Sequence, residues 1–156
     1  MLKDIKVAAF DLDGTVYYGS EIIDGALDVI LKMREKCMKV FFLTNNSAGN
    51  RARVHKKLVR MGIPCEESDV ITAGYASACF AKEKNLRNLY IGGTDMLKEE
   101  FSALGVDYIE DAEKADNVII GFDPDVNFER LTKCVRAGLN AQHLYVCNAD
   151  RTYPGE

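Results

Sequence analysis

No apolar run in the 156 residues approaches the roughly 20 that a bilayer-crossing helix needs. The start, MLKDIKVAAFDLDG, lacks the cleavage pattern of a secretory leader. These absences predict a cytoplasmic protein with no membrane partner. No C-x-x-C pair occurs, and the five cysteines (Cys37, Cys65, Cys79, Cys134, Cys147) are odd in number and widely spread. That pattern argues against a disulfide framework or a zinc site and fits small buried side chains in a reducing compartment. His55 and His143 are too isolated to form a metal pair. The net charge of −4 supplies no excess of positive charge, so no nucleic-acid partner is expected. Nor does any internal repeat, low-complexity tract or Pro/Gly/Ser-rich linker divide the chain.

What is present is the composition of a globular protein, 47% apolar and 28% charged. The length suits one domain, or one domain with a half-sized companion. Short apolar runs at 6–12, 39–45, 88–93, 117–122 and 143–148 read as strands, and their continuity predicts strands covered on both faces of parallel sheets. Helical stripes lie between them: Leu27, Ile30 and Leu31 in 24–37; Val54, Leu58 and Met61 in 50–61; Leu97, Phe101 and Leu104 in 96–104. Gly62 and Gly105 stand where C-terminal caps belong. Strands alternating with helices give an α/β architecture. The least committed stretch is 61–74, where Gly62 and Pro64 interrupt both periods, and it sets a soft boundary between 1–70 and 71–156.

The first strand runs into Asp11, Leu12, Asp13, Gly14 and Thr15. Ligands of open α/β sheets bind beyond the carboxyl ends of strands. In extended chain Asp11 and Asp13 point one way and Leu12 the other. Two carboxylates facing one opening call for a bound cation or a shared proton. Gly14 lets the backbone turn and bring amide N–H groups to an anion. Such a pair suits covalent phosphoryl chemistry, with one carboxylate attacking phosphorus and the other serving as acid and base. Magnesium would neutralise the crowded charge. The same letters also describe an ordinary polar turn after a buried strand. The second strand ends in Thr44 and Asn45, a hydroxyl and an amide able to bind phosphoryl oxygens, while Ser47 or Asn50 would cap the next helix.

With DLDGTVYYG, FFLTNNS and CNADRTYPGE together, the chain resembles the haloacid dehalogenase (HAD) superfamily of phosphatases, in the NagD-like, para-nitrophenylphosphatase-like branch with a large α/β cap. The likeness runs from about residue 5 to the end. It implies a Rossmannoid parallel-sheet core in 1–70 and an α/β cap in 71–156. It also implies a Mg2+-dependent phosphomonoester hydrolase acting on small phosphorylated metabolites through an aspartyl phosphate. Carried over by position, Asp11 is the nucleophile and a metal ligand. Asp13 is the acid/base and binds the metal through its carbonyl. Gly14, Thr44 and Asn45 hold phosphate, and Asn148 and Asp150 lie toward the entrance. The family's third motif, a lysine, and its fourth, an acidic pair, have no counterpart here. The chain therefore reads as truncated before them, with two core strands and an unpaired edge on the first. Such a chain is an incomplete enzyme, a phosphate-binding or interaction module, or a protein that forms homo-oligomers through that edge.

Two further features have simpler explanations. The basic run from Arg51 to Arg60 reads as a solvated helix face. In YIGGTDMLKEEF, a partial dinucleotide-type glycine turn is explained more cheaply by Thr94 capping a helix.

Overall fold

The apolar runs that precede Asp11 and Thr44 become neighbouring strands of one parallel sheet. The computed structural model describes residues 5–150, which divide into two units. The first unit holds residues 5–44 and Arg51–Ile71, and the second holds Asn45–Asn50 and residues 72–150.

In chain order the first unit contains β1 (Val7–Asp11), β2 (Tyr17–Tyr18), β3 (Glu21–Ile22), α1 (Ala26–Glu35), β4 (Lys39–Thr44), α2 (Arg51–Arg60) and β5 (Val70–Thr72), whose last residue passes into the second unit. The sheet order is β1-β4-β5, with β1 and β4 in parallel register from Val7 opposite Lys39 to Asp11 opposite Leu43. Leu12, Val40 and Phe42 bury on one side of this sheet with Ile30 of α1, Val54 and Leu58 of α2, and Val70 of β5. Coverage on both faces, expected from the apolar runs, does not hold for this unit. Val7 and Leu43 remain exposed among the described residues, because the helices contribute to a single core on the opposite side. The count of two core strands is also corrected. β5 adds a third from inside the uncommitted stretch, and β2 pairs antiparallel with β3 as a separate ribbon.

The second unit contains α3 (Ala73–Glu83), β6 (Leu89–Gly92), α4 (Asp95–Ala103), β7 (Asn117–Ile120), α5 (Phe128–Asn140) and β8 (His143–Val146). Its sheet order is β6-β7-β8, all parallel, with α4 and α5 as the crossovers. Ala78, Ala81, Leu89, Ile91, Leu97, Phe101 and Ile119 form one core cluster, and Tyr90, Val118 and Ala137 belong to a second. Thr94 caps α4, its hydroxyl accepting from the Leu97 N–H at 3.1 Å. Among the described residues no helix is long and apolar enough to cross a membrane.

Gly62 and Gly105 terminate α2 and α4 as expected, with φ of 78° and 70°. In each case the glycine N–H and the next N–H bond back to the last turn, Gly62 to Val59 and Ile63 to Leu58, Gly105 to Ser102 and Val106 to Phe101.

Candidate active site

Asp11 is the last residue of β1, and the turn that follows is built from its own backbone. The N–H groups of Thr15 and Val16 bond to the Leu12 carbonyl at 3.2 and 2.9 Å, and that of Gly14 bonds to the Tyr17 carbonyl at 2.8 Å. This loop needs a left-handed residue at position 14, where φ is 80°. Glycine therefore serves the turn. Its own N–H is engaged with the Tyr17 carbonyl.

Burial alternates across the pair. Leu12 is fully buried in the core, whereas Asp11 and Asp13 on either side of it are exposed. The pleat thus sends Leu12 into the protein and leaves both carboxylates to water at the carboxyl edge of the sheet. The Tyr17 hydroxyl reaches Asp13 Oδ2 at a long 3.4 Å, and the Lys57 ammonium lies 3.7 Å over the Tyr17 ring. Tyr17 and Lys57 were not marked as site residues by the sequence. Their separation along the chain hides the contact, and Lys57 reads there only as one charge of a basic helix.

Thr44 ends β4 one position beyond the residue paired with Asp11, and it is buried. It shares that edge with Asp11, although the alternation of the strand places it in line with Leu12. Asn45 falls in the second unit. Its side-chain amide donates to Asp150 at 2.9 Å, and Asn148 donates to the same carboxylate oxygen at 3.0 Å. The structure therefore sets Asp11, Asp13 and Gly14 at the carboxyl end of β1 and Thr44 at that of its neighbour β4, with Thr44 buried on the Leu12 side rather than the carboxylate side, and separately joins Asn45 with Asn148 and Asp150.

The segment Asn45–Asn50 is fastened within the second unit. Ser47 Oγ accepts from the Phe122 N–H, the Thr94 hydroxyl donates to the Ala48 carbonyl, and the Asn50 amide donates to Glu99. Asn46 Oδ1 accepts from the N–H groups of Ala48 and Gly49, closing the turn. These bonds engage Ser47 Oγ and the amide nitrogen of Asn50, and leave the Asn50 side-chain oxygen outside them, the atom an N-cap of α2 would use.

Among the described residues no three Asp, Glu, His or Cys side chains gather as a metal-binding cluster. The donor set at the strand edge is two carboxylates with backbone carbonyls, all hard oxygens. Magnesium characteristically takes one or two carboxylates, keeps several waters and shares substrate phosphate, so Asp11 and Asp13 fit it.

Residues 8–107 match the haloacid dehalogenase-like hydrolase family. The chain is 33% identical to the acid sugar phosphatase of Staphylococcus saprophyticus, over 99% of this chain and 60% of that protein. It superimposes on a p-nitrophenyl phosphatase from Archaeoglobus fulgidus with a TM-score of 0.87 and 30% identity, covering 98% of this chain and 59% of the other. A glycerol phosphate phosphatase from Mycobacterium tuberculosis, solved in complex with calcium, gives a TM-score of 0.83 at 26% identity, covering 96% of this chain and 44% of its own. The chain spans 54% to 60% of the length of the first curated relatives it matches.

Proposed function

This chain belongs to the haloacid dehalogenase-like hydrolase family, and on that premise we propose that it carries the nucleophile and the acid/base of a magnesium-dependent phosphomonoester hydrolase. The observation that carries this reading is the fully buried Leu12 between two exposed carboxylates at the end of a parallel strand. Small phosphorylated metabolites are the substrate class, supported by relatives named for sugar phosphate and glycerol phosphate. The five free cysteines support a reducing, cytoplasmic setting.

In the proposed reaction an Asp11 carboxylate oxygen attacks phosphorus while the bond from phosphorus to the ester oxygen breaks. Asp13 gives its proton to the departing oxygen, then takes one from the water that attacks the aspartyl phosphate. Phosphate leaves and Asp11 is regenerated. Tyr17, bonded to Asp13, helps orient that carboxyl. Thr44 and Asn45 are assigned to phosphate binding. Asp11 and the Asp13 backbone would hold magnesium, which supplies positive charge between the carboxylates and the phosphoryl group. We further propose that residues 71–156 act as the cap that selects the substrate.

The test is release of p-nitrophenol from p-nitrophenyl phosphate by the 156-residue chain, with magnesium and with chelator. Metal-dependent turnover that Asp11→Asn abolishes, and that Asp13→Asn lowers by about 10²–10⁴-fold, is the expected result. Equal turnover in Asp11→Asn rejects the reading. Binding of phosphate without turnover by the unmodified chain would replace it with a phosphate-binding function.

A further inference from the structure

Tyr17 is fastened to the turn around Asp13 by its main chain and by its side chain. Its N–H donates to the Leu12 carbonyl at 3.2 Å, and its carbonyl accepts from the Gly14 N–H at 2.8 Å. The side chain is buried in the core cluster that holds Leu12, Val54 and Leu58. Its one polar atom, the hydroxyl, donates to Asp13 Oδ2 at 3.4 Å. A contact of that length survives only while the ring keeps its place, because hydrogen bonds weaken steeply as geometry is lost.

α2 supplies a group that holds the ring. Val54 and Leu58 mark the buried stripe of this helix, and Lys57, three residues after one and next to the other, stands at its flank. The Lys57 side chain is half-buried, and its ammonium lies over the Tyr17 ring, 3.7 Å from the centre. Among the described residues Lys57 has no carboxylate at ion-pair distance, whereas Lys98, Lys114 and Lys133 are paired with Glu110, Asp111 and Glu129. The Tyr17 ring is thus the group that meets this charge. An ammonium on the ring face draws electron density from the phenol and makes its O–H a better donor to a charged acceptor.

We infer that Lys57 is a positioning residue for the proposed acid/base. It holds the Tyr17 ring so that the hydroxyl stays on Asp13 Oδ2. That leaves Oδ1 of this exposed side chain, unbonded among the described residues, as the oxygen that gives and takes the proton. This role rests on Asp13 being the acid/base, whereas the contact among the three side chains does not.

Two measurements on the 156-residue chain test it, using Lys57→Met, Lys57→Arg, Tyr17→Phe and the double variant of Lys57→Met with Tyr17→Phe. In magnesium-dependent hydrolysis of p-nitrophenyl phosphate, Lys57→Met and Tyr17→Phe should each lower kcat about tenfold with KM unchanged, and the double variant should be no slower than Tyr17→Phe. Lys57→Arg keeps a cation able to lie on the ring and should recover most of the rate. The second measurement needs no turnover. With carbon-13 labelled aspartate, the Asp13 Cγ resonance, identified by its loss in Asp13→Asn, should move in Lys57→Met and in Tyr17→Phe. It should keep its place in Lys57→Arg and move no further in the double variant than in Tyr17→Phe. A raised KM at constant kcat in Lys57→Met would make Lys57 a substrate contact and overturn the role. A double variant slower or further shifted than Tyr17→Phe would show Lys57 acting without the ring, and overturns it as well. Absent turnover in the unmodified chain removes the hydrolase reading and the proton-transfer role with it, while an Asp13 resonance that ignores Lys57→Met overturns the contact whatever the assay shows.

Discussion

Leu97 occupies the space that any side chain at Gly121 would need: a β-carbon there falls 2.5 Å from Leu97 Cδ2. The same leucine stands 2.8 Å from a β-carbon at Gly74 and 2.7 Å from one at Gly93, and it is fully buried. It cannot swing toward water. Gly121→Ala should therefore destabilise the fold by about 1–3 kcal/mol through overpacking, and Leu97→Ala by about 2–5 kcal/mol through the cavity it leaves. In the double variant the new methyl fills part of that cavity, so its cost falls below the sum of the two. Urea denaturation of the four proteins measures this, and strict additivity would mean the two sites do not share the space.

Arg34 of α1 and Asp69 supply a pH-dependent contribution to stability. The guanidinium donates to the carboxylate at 2.9 Å, and the Glu66 N–H donates to the same oxygen at 3.1 Å. Burial alone would push the Asp69 carboxyl up. The Arg34 hydrogen bond, the Glu66 N–H and the charges of Arg34 and Lys39 outweigh it and hold the group below its ordinary value. A carboxyl depressed in the folded state contributes stability above its unfolded pKa of about 3.9, and that contribution is lost as pH falls through the lower folded value. Asp69→Asn should cost about 1–3 kcal/mol at pH 7. The difference from the unmodified chain should vanish by the acid end of a denaturation series; a pH-independent difference would assign the cost to packing.

The local patterns carried most of this fold. The five apolar runs became β1, β4, β6, β7 and β8 because each is continuous and bounded by polar or glycine residues. β5 escaped notice because it has only three residues, flanked by a 3-10 turn and a helix. α3, AGYASACFAKE, has small residues where large ones mark a stripe, and Gly74 inside its first turn weakens the signal further. α5 was not among the expected helices, although Phe128, Leu131, Val135 and Leu139 recur at helical spacing. At the site, the alternation around Leu12 was legible from strand geometry. The engagement of the Gly14 N–H and the contact of Tyr17 with Asp13 were not, because both depend on how the turn closes. Sequence also cannot tell which unit a residue joins, so the assignment of Thr44 to the first unit and Asn45 to the second was not legible.

Cys37 closes α1 where a glycine would be expected. Its N–H bonds to the Arg34 carbonyl and the Met38 N–H to the Met33 carbonyl, the same termination seen at Gly62 and Gly105, but with a side chain held at φ 57°. Cys37→Gly relieves that conformation and should stabilise the chain by up to about 1 kcal/mol. Cys37 is also exposed, whereas burial pushes the thiols of Cys134 and Cys147 up and raises Cys65 to about 11, where the Asp69 charge adds to the effect. A thiol reagent at pH 8 should accordingly label Cys37 first. Loss of the fast labelling phase in Cys37→Gly, together with a raised denaturation midpoint, is the expected outcome; a fast phase that persists would show another cysteine to be the accessible one.

The two aspartates at the end of β1 should cost stability until a cation arrives. Both are exposed side chains two residues apart at the end of β1, and like charges so placed repel. Neutralising either one removes the repulsion, so Asp11→Asn and Asp13→Asn should unfold at the same temperature as the unmodified chain, or slightly higher, when no divalent ion is present. With magnesium at about 100 times its dissociation constant, the unmodified chain gains roughly 2.7 kcal/mol by linkage. Asp11→Asn should lose that gain, because the proposed ligand oxygen there no longer carries charge. Asp13→Asn should keep part of it, because the backbone carbonyl assigned to the metal is untouched. Differential scanning calorimetry across a magnesium series separates these outcomes without relying on turnover. An equal magnesium response in all three proteins would remove the metal from this strand edge, whatever the fate of the phosphatase assay.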